Sequence, residues 1–306
     1  MNHAKNAWAI LAALIFLSPA GARAWHGKGH DQAARFALAA MARAAEEPNR
    51  TSGEAVPTFL LAGADTVAHC SLDPDVFTRP IAPAALHNAE SPEHYFDLEL
   101  LKDGNLPELR YEYLDLCFRK ALKPAKAGLL PYAVTEWTQR LTVALAEHRK
   151  WPEDKVIQQT CLVYAGLLAH YAADLCQPLH TTIHYDGRVD PDGNSPRSGI
   201  HNKVDALLGK FRYDEKDILK DLKVAPAEKL FPAVMEQVGR SNSKVDRVYE
   251  LEKLLPDIES PAGDEPKLRE FTTERMRACA GFTASLYLTA WRDSGNVKLP
   301  DWHKRK

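Results

Sequence analysis

Apolar residues recur at three- and four-residue intervals along most of this chain, the spacing that lines one face of an α-helix. The pattern predicts helices over 29–46, 55–68, 107–122, 131–148, 152–175, 201–210, 226–240, 242–254 and 265–293. Alternating, strand-like runs are scarce. Pro and Gly gather between the periodic segments, at Ser71 to Asp75, Thr78 to Pro83 and Asp186 to Ser198. These read as loops, and the last is long enough to form a site or a lid. With no internal repeat and no low-complexity linker, the expected fold is all-α, a single large helical bundle with long loops.

The segment 152–175 says most. Pro152 suits a first helical turn, with Glu153 and Asp154 at the positive end of the macrodipole. From Cys161 to Cys176 it is apolar on nearly every side, which predicts burial in the middle of the bundle. Pro178 pushes Gln177 out of the helical region, so the helix should stop before it.

Composition adds little: of 306 residues, 45% are hydrophobic and 26% charged, values ordinary for a globular chain. The N-terminus is more informative. Lys5, the apolar run Ala7 to Leu17, and small residues at Ala22 and Ala24 have the form of a secretory signal, predicting cleavage between Ala24 and Trp25. Residues 1–24 are then a signal peptide, 25–306 the mature domain, and the expected location is secreted or periplasmic. No later run is long enough for a transmembrane helix. Lys5 and Arg23 leave with the signal, so 37 basic residues face 41 acidic ones. That weak acidic balance argues against a broad basic surface, and any nucleic-acid contact would be local. Export would permit up to two disulfides among Cys70, Cys117, Cys161, Cys176 and Cys279. None are spaced as C-x-x-C, and each could equally be a small buried hydrophobe.

The chemistry concentrates in the buried helix. His170 and Asp174, four apart, share one face. A buried carboxylate needs a positive partner, yet no Lys or Arg lies between Lys155 and Arg188. A basic residue from elsewhere would serve, but the local shortage of cations favours a metal. His201 and Asp205 repeat the spacing, and His180 lies between the pairs. Nitrogen and oxygen donors without thiolate are what catalytic zinc prefers. Upstream, Asp65 ends the apolar stretch from Phe59, where an acidic residue would oppose the dipole, and His94 opens His94-Tyr95-Phe96-Asp97.

These motifs, with Trp25-His26-Gly27-Lys28-Gly29-His30, Gln177-Pro178-Leu179-His180 and Gly199-Ile200-His201, run in order along the mature chain. Together they resemble the superfamily of fungal and plant single-strand-specific nucleases and bacterial zinc-dependent phospholipases C, in a bacterial branch. The resemblance implies three zinc ions: one on Asp65, His94, His170 and Asp174, and a second on His180, His201 and Asp205. A third would sit on the amine and carbonyl of Trp25 with His30, bridged by Asp174. It further implies phosphodiester hydrolysis by a zinc-activated water, with Asp65 orienting or deprotonating it.

Single-stranded nucleic acid and phospholipid are the two candidate substrates. The five-residue step from Trp25 to His30 is similar to the nuclease branch. Tyr95 and Asp97 match the positions where nucleases stack a base and accept from its edge, although they could instead pack in the core and cap a helix. The nuclease arginine three residues beyond the metal aspartate is missing, since Ala68 and then His69 stand there. The Leu179-His180-Thr181-Thr182 stretch looks closer to the phospholipase grouping, and the Asp65-to-His94 interval is longer than in either. His69, His87 and His184 read as supporting or surface residues. A third reading, a non-catalytic zinc-binding protein, is disfavoured by the lack of sulfur donors.

Overall fold

The computed structural model describes residues 27–46, 55–101 and 106–304. The expectations for the signal peptide, its cleavage site and Trp25 therefore lie outside the described residues. Within them the fold is all-α. In chain order the helices are α1 (Gly27–Glu46), α2 (Thr58–Ala62), α3 (Ala64–Cys70), α4 (Asp73–Phe77), α5 (Ala84–Glu90), α6 (Arg110–Arg119) and α7 (Pro124–Ala127). There follow α8 (Leu130–Lys150), α9 (Lys155–Leu175), α10 (Ile200–Leu207), α11 (Glu215–Leu219), α12 (Leu230–Asn242), α13 (Val245–Glu250) and α14 (Pro266–Ser294). Strand pairing among the described residues is limited to two isolated bridges, Phe96 with Gly128 and Tyr185 with Gly187. No described helix is long and apolar enough to cross a membrane.

The bundle is built around α9. It packs against α8, α3, α1 and α14, while α1 and α8 also pack on α14. Ala165 to Leu175 are buried without interruption, as an apolar all-round helix requires. The helix starts later than its sequence suggests. Asp154, not Pro152, governs the first turn: its carboxylate accepts from Val156 N at 2.9 Å and Ile157 N at 3.3 Å, the ordinary work of an N-cap. The C-terminal boundary falls where expected, with Gln177 extended at φ −85°, ψ 118° before Pro178.

Two expectations in the 55–83 region change. The predicted helix 55–68 breaks at Gly63 into α2 and α3, and Asp65 lies in the first turn of α3 rather than at a helix end. Its charge is thus favourable there. The stretch read as a loop at 71–75 is partly the short helix α4, with Pro74 in its first turn. All five cysteines are buried free thiols in this structure. The apolar surroundings suit a thiol as a small hydrophobe.

Two glycines place the functional elements. A Cβ on Gly166 of α9 would lie 2.6 Å from both Cys70 Cβ and the Val67 carbonyl oxygen, so only glycine lets α3 seat this closely, one turn before His170. Gly128 has φ +90° and a Cβ there would sit 2.0 Å from the Tyr95 carbonyl oxygen, which only glycine tolerates. The approach lets Asp97 N reach Ala127 O at 2.8 Å and Phe96 N reach His180 O at 2.8 Å. The segment 94–97 is thereby pinned across the end of α9.

We predict that Gly166→Ala lowers stability by about 1–3 kcal/mol through overpacking, although helix propensity alone favours alanine by about 1 kcal/mol. A denaturant midpoint equal to or above the parent's would show that α3 does not depend on this contact.

Candidate metal centre

Asp174 is fully buried on the last turn of α9, and four histidines converge on it. His94 Nδ1 lies 3.0 Å and His170 Nε2 3.2 Å from Oδ2, His180 Nδ1 lies 3.9 Å from the same oxygen, and His30 Nε2 lies 3.4 Å from Oδ1. Among the described residues every ion pair of Asp174 is to a histidine. Among those residues no lysine or arginine takes that place.

The side chains fall into three groups, each with donor atoms within 4.8 Å of one another: His30, His170 and Asp174; Asp75, His94 and His170; His180, His201 and Asp205. Of the residues singled out in the sequence, His30, His94, His170, Asp174, His180, His201 and Asp205 are thus gathered. Asp65 is not. Its side chain is 93% exposed and pairs with Arg35 at 2.7 Å. Because the 55–68 helix breaks at Gly63, Asp65 is carried onto the surface, and Asp75 on α4 stands beside His94 and His170 instead. The long Asp65-to-His94 interval was the one signal in the sequence that could have pointed to Asp75.

Backbone carbonyls fix two of the rings. His170 Nδ1 donates to Ser71 O at 2.8 Å, and His180 Nδ1 donates to His94 O at 2.6 Å. Each therefore turns its Nε2 inward, and in the neutral ring that nitrogen is the unprotonated one, the arrangement a metal-ligating histidine needs. His170 Nε2 and His94 Nδ1 are only 3.1 Å apart, close to the ~3.3 Å edge of a tetrahedron of zinc ligands at about 2.05 Å. In the last group, His180 Nε2 lies 3.5 Å from Asp205 Oδ1 and His201 Nδ1 3.6 Å from Oδ2, with Gln177 Nε2 donating to Asp205 Oδ1 at 2.7 Å.

Several of these atoms are buried with no hydrogen-bond partner: both ring nitrogens of His30, Asp174 Oδ1, His180 Nε2 and Asp205 Oδ2. Such orphans are costly, and a shared cation removes the cost. The residues fit zinc in donor type, number and spacing. Their electrostatics agree. Burial opposes charge on His94, but its contacts with Asp174 and Glu90 push it up to about 10. His180 is likewise raised against burial by Asp174 and Asp205, and Asp174 stays well below the carboxylate range through His170 and His180. Burial lowers His30 and His201 and raises Asp75. Protons on some histidines thus hold the place that a cation takes.

A cleft of about 450 Å³ opens beside the last group, lined by Asp97, Lys126, Ile183, Tyr185, Asn194 and Arg197 among others. Tyr185 packs edge-on to His201, with ring centroids 5.7 Å apart. The loop read as a site or lid, Asp186 to Ser198, forms one wall of the cleft and also caps α10, where Asp186 Oδ1 accepts from Gly199 N at 2.7 Å. Asp97 faces the cleft. Tyr95 is half-buried, and its hydroxyl donates to Ala125 O.

No protein-family model matches the sequence, and no curated protein matches it. Among solved structures, the alpha toxin from Clostridium absonum is similar, with a TM-score of 0.42 and 14% identity over 91% of this chain and 67% of that one. Values that low carry nothing about mechanism.

Burial, then Glu99, raises the Asp97 carboxyl from 3.8 to about 7. Because the folded state holds this proton more tightly, the stability it contributes is complete below about pH 4 and is lost as pH rises through about 7. Asp97→Asn should therefore gain thermal stability over the parent across that window and keep a constant lead above it. A difference in Tm that does not vary with pH would refute the assignment.

Proposed function

We propose that this chain is a zinc-dependent phosphodiester hydrolase whose substrate is single-stranded nucleic acid. One observation carries the reading: a single buried carboxylate, Asp174, faces His30 with one oxygen and His94 and His170 with the other. Two ion sites sharing that residue, with a third at His180, His201 and Asp205, would form a cluster of three. Asp75, His94, His170 and Asp174 would hold the first ion. Trp25, through a free amine, would complete the site of His30 and Asp174.

Zinc bound here would supply a nucleophilic hydroxide at neutral pH and polarise the phosphoryl oxygens. The protein's own groups do the rest. Asp75 would take the role expected of Asp65, orienting or deprotonating the attacking water. Arg79 lies near enough to Asp75 to bear on its charge, and its guanidinium makes no ion pair among the described residues. It is the cation available for the phosphate, four positions beyond Asp75, in place of the arginine missing after Asp65. The cleft would receive a base, with the Asp97 carboxyl accepting from or donating to its edge and the Tyr185 ring offering a face.

A second reading, phospholipase C activity, rests on a different feature. Pro80 to Leu86 is an apolar run of which Ile81 is 88% exposed, and α5 buries none of its residues. Such a surface is unusual on a water-facing segment and suits a lipid phase. Hydrolysis of oligonucleotides against phosphatidylcholine vesicles, with a chelator control, decides between them: turnover on vesicles alone would overturn the nuclease reading, and metal uptake without turnover on either would leave a zinc-binding protein.

Asp174→Ala is expected to lose two zinc ions per chain by metal analysis and to fall to background hydrolysis. Near-parental rates would remove Asp174 from its sharing role. A chain carrying one extra residue before Trp25 has an amide nitrogen there, a poor ligand because its lone pair is delocalised. It should bind one zinc fewer, and unchanged stoichiometry would overturn the terminal site.

A further inference from the structure

His94 is turned the other way from its neighbours. His170 and His180 use Nδ1 on backbone carbonyls and present Nε2 inward, whereas His94 presents Nδ1 to Asp174 and His170. Its Nε2 points out of the cluster, buried and without a made hydrogen bond. The charged group on that side is Glu90, whose Oε1 lies 3.5 Å away, one helical turn earlier in the chain. Glu90 sits at the last position of α5, a helix with no buried residue, so packing of that helix does not fix its carboxylate.

Something else does. The Tyr171 hydroxyl donates to Glu90 Oε1, and Tyr171 follows His170 directly on α9. Its ring stands edge-on to His170 at 5.3 Å and tilted against His94 at 5.6 Å. On its other side Trp137 of α8 lies nearly parallel to it, 6.5 Å away at 11°. Trp137, Tyr171, Glu90 and His94 thus form a chain from the rigid α8–α9 packing to the outward nitrogen of one candidate ligand.

We propose that Glu90, held by Tyr171, is the positioning carboxylate of His94, selecting Nδ1 as its inward atom and strengthening the metal site of Asp75, His94 and His170. A carboxylate on the outer N–H of a ligating imidazole fixes the ring and raises the basicity of the inner nitrogen. This rests on the zinc-cluster reading, and it adds two residues that no ligand pattern in the sequence marks.

The test is cobalt(II) binding followed by absorption spectroscopy and chelator competition in the parent, Glu90→Gln and Tyr171→Phe, with circular dichroism of the metal-free forms. Glutamine keeps the shape and an acceptor for the tyrosine hydroxyl but not the charge, so a packing role alone predicts no change. The expected result is one of the cobalt sites weakened by about 10–100-fold in Glu90→Gln, with the others unaltered and the metal-free fold intact. Tyr171→Phe should weaken the same site by a smaller factor, and it carries the test if Glu90→Gln does not fold. Equal affinities in parent and variants would overturn the role of Glu90 while leaving the cluster standing. A parent that binds no cobalt would overturn the cluster itself.

Discussion

A carboxylate that pairs with no lysine or arginine among the described residues, sealed inside a bundle, is the constraint on which the rest of this fold depends. Asp174 is fully buried, and its ion-pair partners among the described residues are His30, His94, His170 and His180. An unpaired charge there would cost more than the stability of most domains. Histidine contacts alone leave Asp174 Oδ1, His180 Nε2 and Asp205 Oδ2 without hydrogen-bond partners. Cations shared between the groups satisfy all of these atoms together, which is why a metal explains the burial better than any pairing of side chains.

That arrangement needs the backbone as much as the ligands. The Ser71 carbonyl reaches His170 because Gly166 lets α3 lie against α9. The His94 carbonyl reaches His180 because the 94–97 segment is pinned to Ala127 and His180 by main-chain hydrogen bonds. Two histidine tautomers are thereby set by carbonyls from distant segments. The orientation of both rings thus depends on residues outside the three groups themselves.

The parts legible in the sequence are those in which periodicity and chemistry share one element. α9 announces itself by its apolar run, and His170 and Asp174 by a spacing that puts them on one face. His201 and Asp205 repeat it. Asp75 was hidden because it sits on a five-residue helix too short to show a period, inside a stretch whose Pro and Asp content reads as a loop. Asp65 was marked by its place at the end of an apolar stretch and by the family resemblance; Gly63 breaks the helix before it and turns an unfavourable C-terminal charge into a favourable N-terminal one. Glu90 carried no signal, since its meaning depends on a tyrosine eighty-one positions away. The cysteines carried less: export permits bridges, and all five stand as buried free thiols, with those of Cys176 and Cys279 in contact with each other.

The division of labour within the molecule follows from burial. The residues of the three groups are buried, most of them on α9 or on elements packed against it and His201 and Asp205 on α10, so their positions are set by the core. The groups that would meet a substrate lie elsewhere: Asp97, Tyr185 and Arg197 around the cleft, Arg79 beside α4, and the apolar run from Pro80 to Leu86. Most of these belong to loops and short helices outside the core; Asp97 is the exception, in the segment pinned to Ala127 and His180. Among the described residues none of these groups pairs with Asp174, whose partners are the four histidines, so their chemistry is set apart from the contacts that hold it.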